Sequence, residues 1–328
     1  MAYQLVNRAD NPAPYQEYVA GRTGSILFHG LPWLTFITRE HAGRLHLLEI
    51  RRDGAFFGYW PLIAVRKMGV RLMGSPLRGW LTSHMGPLLE GALDRDLVQT
   101  LTAYSRQERI AYLELAGKSL EVEPLSEAGF EVRQRETWVL DIEADEDAQW
   151  SRLHHNCRKN IKKAERSDLV VVEMDDAARL PDLYRLAAGT FRKKGLRVPY
   201  GARRLELLRD TIGASGQMLM LGAFHQDRFI GGHIWGHDAH TAYALIVGHD
   251  ERFDDLRVTN KLLWEGIRRF VRMGLKEYDM YGGSKGMDGV TRFKSSFGSR
   301  YVASPFFGIA FSPLFRTAKR LYEKLRSR

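Results

Sequence analysis

At 328 residues, with 44% hydrophobic and 27% charged side chains, the chain is long enough for two globular domains of ordinary size, and its composition excludes intrinsic disorder. Apolar runs such as Val170–Val172 and Phe306–Phe311 are far too short to span a bilayer, the opening MAYQLVNRADNPAPY lacks the layout of a secretory signal, and the single Cys157 excludes an internal disulfide, so a reducing cytoplasm is the expected location. The net charge of +10 is segregated: residues 1–150 carry 16 Lys+Arg and 20 Asp+Glu, whereas residues 151–328 carry 33 and 19, a field that favours an anionic partner for the second half, be it RNA, an acidic lipid surface or a phosphorylated substrate.

In chain order, RLHLLEIR, the tight-turn signal Arg52-Asp53-Gly54 and AFFGYWPLIAV predict a β-hairpin over Arg44–Met68. After a region punctuated by Gly74, Pro76, Gly79, Gly86 and Pro87, the stripe Leu97, Leu101, Tyr104 predicts a helix over Leu93–Gln107. AYLELAG reads as a buried strand, Leu120–Gly129 as a short helix and Glu131–Ile142 as a strand. The acidic stretch Glu143–Asp147 marks the expected boundary between a first domain, 1–147, and a second, 148–328, and suits the positive end of a basic helix over Ala148–Arg166. Beyond it come a strand at Leu169–Met174, helices near Leu180–Arg192 and Ala202–Ile212, and three strands, QMLMLGAF, FIGGHIWGH and TAYALIVGH. A helix over Leu256–Met273 turns Leu263, Ile267, Phe270 and Val271 inward and stops at Gly274. KEYDMYGG is a strand leading into a glycine-rich loop, and PLFRTAKRLYEKLRSR a basic terminal helix. The mixture indicates an α/β, or mixed α+β, fold.

The halves echo one another. Asp53–Gly58 lines up with Asp227–Gly232, and Tyr112–Gly117 with Tyr278–Gly283, a hairpin–helix–strand order that predicts a pseudo-duplicated protein.

Thr259–Gly298 is the most specific stretch. Its parts in order are Asn260, Leu262-Leu263-Trp264, Asp279, Gly282-Gly283 with Gly286 and Gly289, and Phe293-Lys294-Ser295-Ser296-Phe297-Gly298. This order resembles the closing segment of the Fem-type aminoacyltransferases and the wider Fem-like N-acyltransferase group, and His154–Glu173 resembles the basic helix and strand that open their second domain. DGAFFGYWPL and SHMGPLL agree more loosely. The resemblance implies a tandem pair of GCN5-related acetyltransferase (GNAT)-like domains, each a mixed sheet flanked by helices. It further implies transfer of an aminoacyl or acyl group from an aminoacyl-tRNA or another acyl donor to an amine, such as that of an anionic peptidoglycan precursor, without a tightly bound cofactor. No coiled-coil arm is present, so the match is to shorter members.

The resemblance gives Lys294 the task of stabilising an oxyanion or leaving oxygen; otherwise it reads as an exposed strand lysine. Asp279, in an apolar strand, orients the acceptor amine or takes its proton, or else caps a helix or pairs with Arg292. Tyr281 is a proton relay or core. Arg158 and Lys162 are phosphate contacts or a solvated face, and Asn260, Gly282, Gly283, Arg292, Phe293 and Phe297 complete the expected substrate-binding set. His233 and His237 share a strand face roughly 13 Å apart, too far to chelate one ion, so no metal is expected. A single histidine could still serve as a base, and the choice among them stays open. No GxxxxGK[ST], Rossmann glycines or coenzyme A pyrophosphate loop occurs, the last position reading DDLRVTNKLL. That absence favours charged tRNA or an acyl-carrier protein as donor over acetyl-CoA; an acyl-CoA-dependent N-acyltransferase and a non-catalytic RNA-binding module are the alternatives. The stripe Leu314, Ala318, Leu321, Leu325 allows the terminal helix to dock on an anionic membrane face or to pack on its own domain.

Overall fold

The computed structural model describes residues 2–67, 69–175, 177–193, 195, 197–282, 288–313 and 315–317. Two compact units divide the chain, Met1–Arg135 with Ser304–Arg328, and Glu136–Ala303.

The first unit opens with β1 (Tyr3–Asn7), α1 (Ala13–Gly21), α2 (Leu31–Glu40), β2 (Arg44–Arg52), β3 (Ala55–Lys67), β4 (Val70–Ser75) and β5 (Leu88–Leu89). It continues with α3 (Arg95–Gln107), β6 (Tyr112–Leu115), α4 (Val122–Glu127) and the start of β7 (Glu131–Asp141). The predicted hairpin is β2–β3. Its two loop residues, Asp53 and Gly54, have φ of 50° and 84°, the left-handed pair that a tight turn matching strand twist requires. Asp94 caps α3 by accepting from the Leu97 amide at 2.9 Å, and α3 lays Leu97, Val98 and Leu101 on a core with Trp60, Leu62 and Leu113.

The second unit holds α5 (Glu146–Ser151), α6 (His155–Glu165), β8 (Leu169–Glu173), α7 (Leu180–Lys193), α8 (Arg203–Leu208), β9 (Met218–His225), β10 (Arg228–His237) and β11 (Thr241–His249). After them come α9 (Val258–Arg272), β12 (Glu277–Asp279), α10 (Asp288–Ser295) and the start of β13 (Arg300–Ala310). Gly266 lets α9 settle on the sheet: a Cβ there would meet the Trp235 ring at 2.8 Å. Trp235 in turn donates from Nε1 to the Tyr278 hydroxyl at 3.0 Å, inside a core with Ile267 and Phe270.

The duplication is present at the level of topology. β1–β4 run antiparallel in sequence, α3 follows, and β6 joins parallel to β4. β8–β11 run antiparallel in the same way, α9 follows, and β12 joins parallel to β11 through Thr241–Tyr243. The fold is thus a tandem pair of GNAT-like mixed sheets flanked by helices.

Several expectations change. The units divide at 135 rather than 147, because strand pairing and not composition sets the boundary: Val139–Asp141 of β7 pair with β12, while Phe307–Ala310 of β13 pair with β6. The expected helix over 148–166 is two helices, since the His154 amide leaves the helical ladder to donate to the Ser296 carbonyl at 2.8 Å and His154 caps α6. Asp145 caps α5 by accepting from the Ala148 amide at 2.7 Å, the use foreseen for the acidic stretch. The strand KEYDMYGG is shortened to Glu277–Asp279. Of the expected terminal helix, residue 314 and residues 318–328 lie outside the described residues.

Candidate active site

β12 ends in a tightly bonded corner. Asp279, 5% exposed, accepts at Oδ1 from the Thr137 hydroxyl and from the Tyr281 amide at 2.9 Å. Tyr281 takes a left-handed φ of 54°, and Gly282 follows with φ of 22°. This turn presents three successive carbonyls in one direction. The Lys294 ammonium donates to all of them, to Met280 at 3.0 Å and more closely to Tyr281 and Gly282.

Lys294 lies in α10, not on a strand, and its half-buried side chain reaches back from the helix. Burial lowers its pKa to about 8, against which the Asp279 carboxylate favours the charged form. The corner is therefore a half-buried cation with its three protons aimed at main-chain oxygens. His233 on β10 adds to it. The ring is 5% exposed and stacks on Trp235 at 3.7 Å, neither ring nitrogen has a partner among the described residues, and burial together with the Lys294 charge lowers its pKa to about 3, so it is neutral.

A cavity of about 230 Å³ lies at the first turn of α9, lined by His249, Asp254, Arg257, Val258, Thr259, Asn260 and Phe293. It brings together two expected residues from distant parts of the motif, Asn260 and Phe293.

Three comparisons bear on this site. The family model described as acetyltransferase (GNAT) domain matches residues 151–295, which contain both the Lys294 corner and the cavity. Residues 151–295 thus resemble a GNAT acetyltransferase domain. Among solved structures, FemX superposes with a TM-score of 0.74 at 12% identity, covering 97% of this chain and 99% of that one. The C-terminal domain of a putative lysylphosphatidylglycerol synthetase from Agrobacterium fabrum follows at 0.59 and 11%, covering 92% of each chain. A tandem GNAT protein from the clavulanic acid biosynthesis pathway gives 0.58 and 11%, covering 95% of this chain and 99% of that one. No curated protein sequence matches the chain. The Fem-like resemblance read from the motif order thus agrees with both the family model and the fold.

Within the second unit the other expected residues are spread out. Phe297 is fully buried and packs on Phe293 with ring centroids 5.3 Å apart, so it shapes the core behind the cavity and cannot itself touch a ligand. Arg292 is exposed on α10. Arg158, on α6, donates to the Ser151 carbonyl at 3.1 Å, and the exposed Lys162 sits 5.9 Å from the Trp150 ring centroid; among the described residues neither meets a carboxylate. Gly283 and Gly286 lie outside the described residues. Tyr281 contributes its main chain to the corner, a use its side chain did not foretell.

Sequence reasoning missed Thr137 as the partner of Asp279, 142 positions away, and nothing local marks it. His249 is among the histidines left unchosen; its distinguishing neighbour, Asp254, lies in DDLRVTNKLL, which is weighed above only for what it lacks.

Proposed function

We propose that the chain is an N-acyltransferase that moves an aminoacyl or acyl group from an activated ester or thioester to an amine, with the reacting carbonyl near the carboxyl end of β12. The observation that supports this is the Lys294 corner: a desolvated cation at the carboxyl end of β12, within the residues that match the GNAT family model. A neutral amine attacks the donor carbonyl, the carbonyl oxygen takes negative charge, and collapse breaks the bond to the leaving oxygen or sulfur while the nitrogen gives up a proton. Lys294 stabilises the oxyanion through its charge, worth more in low dielectric than in water. Asp279 keeps the turn, and hence the lysine, in place. Arg158, Lys162 and Arg292 supply the positive approach for an anionic substrate, and Asn260 and Phe293 line the entrance.

For the donor, the basic excess of residues 151–328 and the missing coenzyme A loop favour charged tRNA or an acylated carrier protein, with no tightly bound cofactor. The likeness to FemX and to a lysylphosphatidylglycerol synthetase domain favours an aminoacyl donor and a cell-envelope acceptor such as a peptidoglycan precursor, reached from the cytoplasmic side of the membrane. Among the described residues no helix is long and apolar enough to cross a membrane. The domain's description as an acetyltransferase favours the second reading, acyl-CoA. Purified protein incubated with charged tRNA, acyl-CoA and acylated carrier protein, with and without ribonuclease, separates these donors. Transfer abolished by ribonuclease supports the first; transfer from none of them to any amine rejects acyl transfer altogether.

A further inference from the structure

His249 closes β11, and the 3₁₀ turn Glu251–Leu256 folds the chain back so that Asp254 Oδ1 lies 2.7 Å from His249 Nε2. A carboxylate only accepts, so Nε2 carries the hydrogen, which leaves the Nδ1 lone pair pointing the other way. Thr259 Oγ1 lies 3.3 Å from Nδ1, in the first turn of α9, and donates to it. All three hydrogen bonding groups are ordered in one sense, carboxylate to imidazole to hydroxyl, and the hydroxyl end opens on the cavity of about 230 Å³ shared with Asn260 and Phe293. A nucleophile or proton donor entering that cavity meets an oxygen whose own proton already has a place to go.

We propose that Thr259, His249 and Asp254 form a proton relay that takes the proton lost by the attacking nitrogen and returns it to the leaving group. The relay rests on the acyl-transfer function proposed above and deepens it by naming the base. As the amine attacks, its N–H bond breaks, the proton passes to Thr259 Oγ, and the Thr259 proton passes to His249 Nδ1. The resulting imidazolium is held by Asp254. When the tetrahedral intermediate collapses, the same path runs backwards and protonates the leaving oxygen or sulfur, so the enzyme ends in its starting state. Thr259 is the catalytic residue that touches substrate; His249 and Asp254 act through it. The charges around the imidazole are few. Asp254 and Arg257 flank it, and Asp250 is engaged by Arg252 at 2.6 Å and by Arg228 at 3.3 Å. Across the sheet its partner on β10 is Gly231, and α7 meets β11 at the neighbouring Gly248 through Ala187.

The test measures kcat and KM against pH for the whole protein, with acetyl-CoA, total charged tRNA or acylated carrier protein as donor and glycinamide as the amine. Thr259→Val, isosteric but without the hydroxyl, should lower kcat by about 10²–10⁴ with little change in KM, and Thr259→Ser should stay within about tenfold of the native enzyme. His249→Gln should match Thr259→Val, and Asp254→Asn should lower kcat by a smaller factor, each with little change in KM. Should His249→Gln fail to fold, the Thr259 pair still decides. Native kcat in Thr259→Val, or equal losses in its serine and valine variants, overturns the relay while leaving acyl transfer intact. Native protein silent with every donor overturns both, and is told apart by the absence of any wild-type turnover.

Discussion

Replacing Lys294 by methionine sets two effects of similar size against each other. The side chain's ammonium holds the carbonyls of Met280, Tyr281 and Gly282. Gly282 is exposed and Tyr281 half-buried, so water can replace the lysine at their oxygens; Met280, 6% exposed, is left with a drier carbonyl, at a cost of about 1–3 kcal/mol. In the other direction, methionine removes a charge that burial disfavours. Lowering of the lysine pKa from its ordinary value to about 8 corresponds to roughly 3 kcal/mol of strain on the charged form near neutrality. The net change is then within about 2 kcal/mol of zero, and the melting temperature should move by less than about 6 °C. Turnover is not so balanced, because nothing replaces the charge at the oxyanion; it should fall by about 10² or more, equivalent to roughly 2.7 kcal/mol of transition-state stabilisation. Thermal melting alongside a donor-consumption assay decides the matter. Near-native turnover in folded Lys294→Met protein refutes the catalytic role, and a loss of stability well beyond 3 kcal/mol refutes the assignment of strain to the buried ammonium.

The same lysine predicts a pH dependence: activity should decline as pH rises through about 8, where the charge is lost, while between that point and the ordinary lysine range the unfolded chain retains a proton the folded chain has released, so stability should rise over the same interval, as paired rate and denaturant titrations would reveal. Gly266→Ala places a Cβ 2.8 Å from the Trp235 ring and should destabilise by about 1–3 kcal/mol, measured by urea unfolding; an unchanged midpoint would mean that α9 does not press on that ring. Cys157 is 1% exposed with its thiol pushed up to about 11, so Ellman's reagent should label it only in denaturant; rapid labelling of native protein would contradict its place in the core.

Local sequence was a sound guide wherever a single element decides the outcome. Asp53-Gly54 marks the β2–β3 turn because two successive left-handed residues suit few others, and the stripe Leu263, Ile267, Phe270 marks α9 because burial of one face imposes a period of 3.6. It misled where a distant group intervenes. The run from Ala148 to Arg166 has helical composition throughout, yet a carbonyl from Ser296 captures the His154 amide and splits it. Lys294 reads locally as an exposed strand lysine, and only α10 turning back on the end of β12 reveals what it holds.

By itself, then, the amino-acid order determined the globular class, the segregation of positive charge into the second half, the repeated hairpin–helix–strand plan and the motif order that resembles the Fem-like group, since each depends on composition or on neighbours a few positions apart. Tertiary structure alone decided which groups meet: Asp279 with Thr137, Lys294 with three carbonyls, Thr259 with His249, and which half of the chain completes each sheet. Such pairings follow from the burial of whole sheets and helices, an energy summed over the fold that no short window contains, and they select one partner among many chemically equivalent ones.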